Sequence, residues 1–158
     1  MTQSAAHFAA AIHNECAAIE ALVEALIEER DSLSAGDTDR LTQVAPRKRE
    51  LLLHVAHLGE QRKHFLEKSG FTADRQGMER WFQTHDQIGT TQAQWRRLLD
   101  LTRSAHTLNH RNGIFIDAGM NANQQALQAL MSAGAAANTY GPAGRALNPP
   151  SSRSLASA

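Results

Sequence analysis

Histidine is the residue type with the most potential for chemistry in this chain, which has eight histidines among 158 residues. His54 and His57 are three residues apart, and His106 and His110 are four apart, so each pair would share one face of a helix. A di-metal site in a helical bundle needs a Glu-x-x-His motif on each of two helices and two further carboxylates. The chain contains neither that motif nor His-Glu-x-x-His. We therefore predict solvated or half-buried histidines, with no metal and no other cofactor.

The segment Ala105-His106-Thr107-Leu108 resembles the start of the motif of histidine phosphotransfer domains. In that family a surface histidine of a four-helix bundle accepts a phosphoryl group. The family motif continues with a lysine, which offsets the phosphate charge, and a glycine, which makes room for the donor. Asn109 and His110 occupy those two places in this chain. Phosphotransfer by His106 is therefore the third of the three functions that we consider.

Other catalytic signatures are missing from the sequence. Cys16 is the only cysteine, so the chain cannot form an internal disulfide, and a free thiol fits a reducing compartment. It lies on an apolar side of the first predicted helix, without a histidine placed to activate it, and we predict that it is a buried small hydrophobe. There is no Gly-rich phosphate loop, nucleophile elbow or paired-carboxylate signature. We predict that the protein is not an enzyme and has no catalytic residue.

Charge excludes two classes of partner. Sixteen basic residues balance sixteen acidic ones, so no net field attracts the chain to nucleic acid or anionic lipid. The basic clusters are short and have acidic neighbours: Arg47-Lys48-Arg49, Arg62-Lys63 and Arg96-Arg97. The N-terminus has no basic n-region, and aliphatic runs such as residues 51–53 are too short to span a bilayer. We predict a cytoplasmic protein that neither binds nucleic acid nor inserts into a membrane.

The first predicted secondary-structure element is a helix over residues 4–33. Its apolar residues recur every seven positions, with a second row beside them: Ile12, Ile19, Leu26 and Leu33, then Phe8 and Leu22. Five glutamates are predicted to make the remaining surface acidic and solvated: Glu15, Glu20, Glu24, Glu28 and Glu29. Ser34-Ala35-Gly36 ends the helix, because Gly adopts the left-handed conformation without steric penalty. Asp37 or Thr38 then caps a second helix, which forms an antiparallel hairpin with the first.

Three further elements complete the predicted fold. Pro46 lies near the start of the second helix, and either a short helical turn ends at Ala45 or the helix bends there. A short amphipathic connector helix follows from Asp74 to about His85, and a third long helix runs from about Gly89 to about Asn138. The predicted fold class is all-α, an antiparallel helical bundle built from a coiled-coil hairpin, a third long helix and a short connector helix.

The C-terminal twenty residues are predicted to be a flexible, disordered tail. Ordering residues 139–158 would cost at least ~20 kcal/mol of backbone entropy. Tyr140, Leu147 and Leu155 would return under ~10 kcal/mol even if they were fully buried. Pro149-Pro150 and the Ser-rich sequence after it indicate disorder by composition. We therefore expect one helical domain over residues 1–138 and a tail over residues 139–158.

The third long helix contains polar and flexible residues where a packed helix would have aliphatic ones: Asn109, Asn112, Asn123, Gly113, Gly119 and Gly134. Four large apolar residues follow one another on it, with alanines around them: Met120, Leu127, Leu130 and Met131. We call these four residues the apolar stripe. Either the stripe completes the core of the bundle, or it binds a partner helix that flexible Met and small Ala allow to approach closely. The Asn and Gly residues favour the second interpretation, because they make this helical segment only marginally stable without a partner.

Several segments together resemble the FlgN family of flagellar type III export chaperones. In the C-terminal half these are Asn109-x-x-Asn112-Gly113, the amphipathic Ala/Leu helix, and Tyr140-Gly141-Pro142-x-Gly144. The hairpin is similar too, with its acidic first helix and its Gly36-Asp37 turn. The spacing of residues in its second helix also matches: Leu51-Leu52, Val55, Leu58, Arg62 and Leu66. The likeness covers nearly the whole chain up to Ala146.

This resemblance implies an ATP-independent cytoplasmic chaperone of the hook–filament junction (hook-associated) proteins. In that family the C-terminal helix binds the disordered C-terminal segment of the client, and a tyrosine near the tail docks the complex on the export gate. The candidate client-binding residues in this chain are Asn112, Met120, Asn123, Leu127, Leu130 and Met131. Tyr140 is the position that matches the docking tyrosine. The runner-up function is a helical adaptor or regulator that binds a different helix, and the sequence leaves the oligomeric state open.

Overall fold

The computed structural model of the chain describes residues 3–86 and 88–139. The described residues form four helices and no strand, which confirms the all-α prediction. The helices are α1 (Gln3–Ala35), α2 (Thr38–Lys68), α3 (Arg75–His85) and α4 (Thr90–Thr139). Tyr140 and nearly all of the predicted disordered tail lie outside the described residues.

The chain divides into two compact units, Met1–Ile116 and Asp117–Ala158. The first contains α1, α2, α3 and the beginning of α4, and the second contains the remainder of α4. The single domain that we predict over residues 1–138 stays a prediction.

The turn between α1 and α2 is formed as the sequence predicts. Gly36 has φ +67°, and its N–H donates to the Leu33 carbonyl while the Asp37 N–H donates to the Ser32 carbonyl. These two bonds form a Schellman motif, which satisfies carbonyls that the helix end leaves free. The Asp37 carboxylate then accepts from the Arg40 N–H at 3.0 Å and caps α2.

Helix α2 continues through Pro46 without interruption, so the alternative of a short turn ending at Ala45 is wrong. Two ion pairs show that α1 and α2 are antiparallel: Glu15 pairs with Arg62, and Glu29 pairs with Lys48. Glu15 and Glu29 are fourteen residues apart on α1. Their partners on α2, Arg62 and Lys48, are also fourteen residues apart, but in the reverse order along the chain. The pairs therefore mark one constant register along the hairpin.

The prediction that all five glutamates of α1 are solvated is wrong for Glu15 and Glu29, which are only 4% and 3% exposed. The physical reason is that α1 packs on more than one side. Its buried residues include Phe8, Ile12 and Leu26, each 0% exposed, and buried positions occur around most of the helix. A helix that packs against two neighbours has little surface left in solvent. Some of its charged side chains are therefore buried, and these are paired with opposite charges.

Helix α3 is the predicted connector helix, and its apolar side packs into the core. Met78, Trp81 and Phe82 are all at most 4% exposed, and the Trp81 and Phe8 ring centroids are 4.4 Å apart. Asp74 caps the helix by accepting from the Gly77 N–H at 2.8 Å. Hydrogen bonds from the Thr72 hydroxyl and then the Gly77 N–H lower the pKa of the Asp74 carboxyl.

The beginning of α4 packs along α1 in the same direction. Gln94 lies beside Cys16, Arg97 pairs with Glu20, and Asn112 contacts Leu26, so the residue numbers rise together on the two helices. Leu98 and Ala105 are buried in this contact. Three long helices thus surround one core, and α1 is the helix shared by the other two.

Candidate functional site

The apolar stripe is exposed throughout. Met120 is 66% exposed, Leu127 60%, Leu130 70% and Met131 74%. All four side chains belong to the second unit, whose described side chains, up to Ser132, are all exposed. Within the second unit, therefore, no described side chain covers the stripe, and the interpretation in which it completes the bundle core stays a prediction.

The stripe forms one side of a helix that has no ionisable residue from Ala118 to Ser132. At 100° per residue, its four members fall within one sector of about 100°, which also contains Asn123 and has Gln124 at its edge. The other exposed amides and the hydroxyl fall on the other side of the helix: Asn121, Gln125, Gln128 and Ser132. Met120 and Met131, at the two ends of the stripe, are eleven positions apart, or about 16 Å at ~1.5 Å per residue. A neutral amphipathic surface of this kind can bury apolar area against another helix without desolvating a charge.

The two asparagines that we predict at the site differ in their environments. Asn123 is exposed and lies between Met120 and Leu127 in the sequence, so its amide is free to contact a partner. Asn112 is 2% exposed, and its Nδ2 donates to the Leu26 carbonyl and to Glu29 Oε2, both at 2.9 Å. The structure thus places Asn112 in the contact between α1 and α4, apart from the other predicted residues.

Sequence reasoning missed a second group of exposed apolar residues at the end of the first unit. Ile114 is 56% exposed, Phe115 54% and Ile116 37%. Three consecutive large apolar residues after Gly113 were the available signal, because consecutive positions on a helix point in different directions and cannot all face one core. A single exposed apolar residue is ordinary, whereas three together indicate a surface available for contact.

The residues considered for enzymatic chemistry lie in unremarkable surroundings. His106 is exposed on α4, and Asn109 and His110 follow it where phosphotransfer domains have Lys and Gly. Among residues 3–86 and 88–139, no three His, Cys, Asp or Glu side chains are grouped so that they could hold a metal ion. Over the same residues, the helices include none that is both long and apolar enough to cross a bilayer.

The prediction that Cys16 is a buried thiol is confirmed, since its side chain is 6% exposed and its Sγ donates to the Gln94 carbonyl at 3.4 Å. Burial, followed by the negative charges of Glu20 and Glu15, raises the pKa of the Cys16 thiol, and Arg97 opposes this shift. The thiolate is the nucleophilic form of cysteine. A raised pKa therefore makes Cys16 a poor nucleophile at neutral pH.

The comparison with protein-family models gave one match, to the family described as FlgN protein, over residues 1–148 of the chain. The matched range contains all four helices and the apolar stripe. No curated protein and no solved structure matched the chain. The family match agrees with the resemblance in the Asn109–Gly113 and Tyr140–Gly144 segments.

Proposed function

The chain belongs to the FlgN family of flagellar export chaperones, and we propose that it binds the amphipathic C-terminal segment of hook–filament junction proteins in the cytoplasm. Binding shields the apolar face of that segment before export and so prevents premature assembly. The complex is then delivered to the type III export gate. No step of this activity requires a cofactor or ATP.

The observation that supports this proposal best is the apolar stripe, whose four large side chains are all at least 60% exposed. Leaving these side chains in water costs free energy that a client helix would recover, about 1.5–3 kcal/mol for each large side chain that it buries. Met120 and Met131 can adjust their shapes to different clients because the Met side chain is unbranched and flexible. The alanines beside the stripe allow a client backbone to approach closely.

We assign client contact to the exposed residues of the predicted set: Met120, Asn123, Leu127, Leu130 and Met131. Asn112 is left out of this surface, because its amide already makes two hydrogen bonds to α1. A client could reach it only after those bonds break. Its role in the free chain is therefore to hold α4 against α1.

We propose that Tyr140 contacts the export gate and not the client, as the family resemblance implies. It follows the last residue of α4, beside Gly141-Pro142, and a tyrosine offers a large contact area with few rotatable bonds. Tyr140→Ala should then leave affinity for a client peptide unchanged while secretion of junction proteins falls. Loss of peptide binding in this variant would show that the two sites are not separate.

The proposal is tested by capture of partners from a lysate of flagellated cells, with the tagged chain and two double variants. Leu127→Asp/Leu130→Asp disrupts the stripe, and Gln125→Asp/Gln128→Asp adds the same charge at the same spacing on the polar side. We expect junction proteins with the unmodified chain and the glutamine variant, and none with the leucine variant. Recovery of an unrelated helical protein in their place would support the adaptor function.

A further inference from the structure

The segment that carries the apolar stripe limits the kind of partner that can cover it. The four side chains of the stripe are 60–74% exposed. From Ala118 to Ser132 the helix has no ionisable side chain, and its polar groups are amides and one hydroxyl. A surface of this composition offers no ion pair, so its partner must supply apolar side chains and uncharged hydrogen-bonding groups.

A second copy of the same segment meets this requirement. In a two-fold dimer, the same patch of both copies forms the contact, so that residues near the axis face themselves or their neighbours. A patch with charges of one sign repels its own copy, whereas residues 118–132 have no charge to repel. Amides are also self-complementary, because each Asn or Gln side chain both donates and accepts hydrogen bonds.

The length of the stripe defines where the axis of an antiparallel pair lies. A two-fold axis perpendicular to the helix, at the level of residues 125–126, keeps both stripes entirely within the overlap. Met120 of one copy is then level with Met131 of the other. Met side chains are unbranched and flexible, so the two ends of the contact can adapt to each other.

The residues beside the stripe fit this pair. At 100° per residue, Gln124 and Gln128 flank one edge of the stripe, and Ala126 flanks the other. The two-fold axis brings like edges together. Gln124 of one copy is nearly level with Gln128 of the other, so their amides can exchange hydrogen bonds. On the other edge, Ala126 faces its counterpart near the axis, and two small side chains allow the helices to approach closely.

Charge disfavours a parallel pair. Asp117 is exposed and directly precedes the neutral segment. In a parallel pair with the stripes level, the two Asp117 carboxylates would also be level, and both helix dipoles would point in one direction. In the antiparallel pair, Asp117 is level with residue 134 of the other copy. The two carboxylates are then seventeen positions apart, or about 25 Å at ~1.5 Å per residue, well beyond the Debye length of about 8 Å at physiological salt.

The area of the contact indicates how strong the pair is. A large apolar side chain removes about 60–120 Å² from water when it is covered, so the eight side chains of two stripes bury roughly 500–1,000 Å². Stable interfaces bury about 1,200–2,000 Å², and smaller ones are typical of transient complexes. The pair should therefore be weak, forming at high protein concentration and dissociating at low concentration.

We propose that two copies of this chain associate reversibly through their apolar stripes, antiparallel about a two-fold axis at residues 125–126. The association covers the stripe when no other partner is bound. It requires no client, so this inference does not depend on the proposed function. A client helix that binds the stripe would displace the second copy, because one surface cannot contact both.

Sedimentation equilibrium of the full chain tests the association. The average mass of the unmodified chain should rise from one copy toward two between about 1 µM and about 1 mM, the range of weak dissociation constants. Leu127→Asp/Leu130→Asp places carboxylates in the contact and should remain a single copy throughout. Ala122→Asp/Gln125→Asp is the matched control, because it adds the same charges at the same spacing on the opposite, exposed side. It should associate as the unmodified chain does.

Spin labels test the orientation of the two copies at high protein concentration. With Cys16 replaced by Ala, a single cysteine at Gln125 or at Ser132 carries the label, and both positions lie on the side away from the contact. In the antiparallel pair the Gln125 labels lie near the axis. The Ser132 labels are thirteen positions apart, or about 20 Å along the helix, and should give a longer distance. A parallel pair would give equal distances at the two positions.

Three results would overturn the proposal: a single copy at every concentration for the unmodified chain, equal association of the two double variants, or equal distances at Gln125 and Ser132. Circular dichroism shows whether each variant keeps its helices. If Leu127→Asp/Leu130→Asp loses helical content relative to its control, Leu127→Ala/Leu130→Ala takes its place, because Ala favours the helix. This variant should associate more weakly than the control, and equal association would again overturn the proposal.

Discussion

Glu15 shows at the scale of one residue how the packing of this bundle changes a sequence pattern. It is 4% exposed, and Arg62 Nε donates to it at 2.8 Å. The Arg62 guanidinium also lies 4.7 Å from the centroid of the Trp95 ring. One arginine of α2 thus compensates a buried charge of α1 and contacts an aromatic residue of α4. The burial of Glu15 depends on neighbours that a helical wheel of α1 does not contain.

Removing Arg62 should destabilise the fold markedly. Arg62→Ala leaves the Glu15 carboxylate buried without its partner, and breaking a buried pair in this way costs about 3–5 kcal/mol. Arg47→Ala is the matched control, because Arg47 pairs with Glu28 at the surface, where an ion pair contributes about 1 kcal/mol or less. Urea unfolding measures both free energies. Equal losses in the two variants would show that Glu15 is not effectively buried.

Gly77 and Gly59 should respond in opposite ways to alanine. A Cβ at Gly77 would lie 1.8 Å from the Thr72 carbonyl oxygen, so α3 or the loop before it would have to move. We expect Gly77→Ala to lower the free energy of unfolding by about 2 kcal/mol, within the usual range for steric strain. At Gly59, within α2, the nearest atom would be 3.5 Å away, an ordinary contact. Gly59→Ala should therefore be neutral or stabilise by up to about 1 kcal/mol. Thermal unfolding of both variants checks this contrast.

The asparagines show where prediction from sequence ends at this scale. Asn109, Asn112 and Asn123 have equivalent sequence signals, namely a polar residue on an otherwise apolar helix side. The structure leaves Asn109 and Asn123 exposed, and it buries Asn112 against Leu26 and Glu29. The difference depends on which carbonyl and carboxylate lie opposite, and only the packed helices supply that information.

At the scale of elements, the sequence predicts most of what the structure contains. The predicted helix over residues 4–33 corresponds to α1 at Gln3–Ala35, and the connector helix corresponds to α3 at Arg75–His85. Both were predictable because Gly36 and the Asp74 cap are local signals with a physical cause. The sequence did not show whether Pro46 interrupts the second helix. It does not, because a long helix with tertiary packing can accept the loss of one hydrogen bond. The local sequence therefore predicts where a helix ends more reliably than it predicts whether a long helix is continuous.

The second half of α4 should be the least stable helical segment of the free chain. Side chains 117–132 are all exposed, so tertiary burial does not support this part of the helix, and Gly119 costs about 1 kcal/mol relative to Ala. Amide exchange should show residues 113–138 opening well before residues 10–33 and 48–66. Equal protection of all three segments would contradict this expectation. Addition of a client peptide should raise protection at residues 113–138 first.

At the scale of the whole molecule, charged and neutral surfaces are separated along the sequence. The ion pairs that the structure describes lie between residues 15 and 103, and residues 118–132 have no ionisable side chain. The stripe therefore offers burial of apolar area and amide hydrogen bonds, but no ion pair, to a partner. The composition of the sequence shows that the total charge is balanced. Where the charges lie relative to the exposed apolar surface can be seen only in the folded structure.

Client binding should accordingly depend little on salt. Interactions between exposed charges weaken when the Debye length falls from about 10 Å at 0.1 M to about 3 Å at 1 M salt. Burial of apolar surface is not weakened in this way. We expect the dissociation constant for a client C-terminal peptide to change less than about threefold between these salt concentrations. A loss of affinity of tenfold or more would indicate that charged residues of the first unit take part in binding.

The central claim, that the apolar stripe binds the client, is tested most directly by calorimetric titration of a junction-protein C-terminal peptide into three forms of the chain. Burial of two leucines supplies about 3–6 kcal/mol, and each 1.4 kcal/mol is tenfold in affinity. Leu127→Asp/Leu130→Asp should therefore weaken binding by at least about a hundredfold. Gln125→Asp/Gln128→Asp should bind as the unmodified chain does. Tight peptide binding by a folded leucine variant, or equal weakening in both variants, would contradict the account.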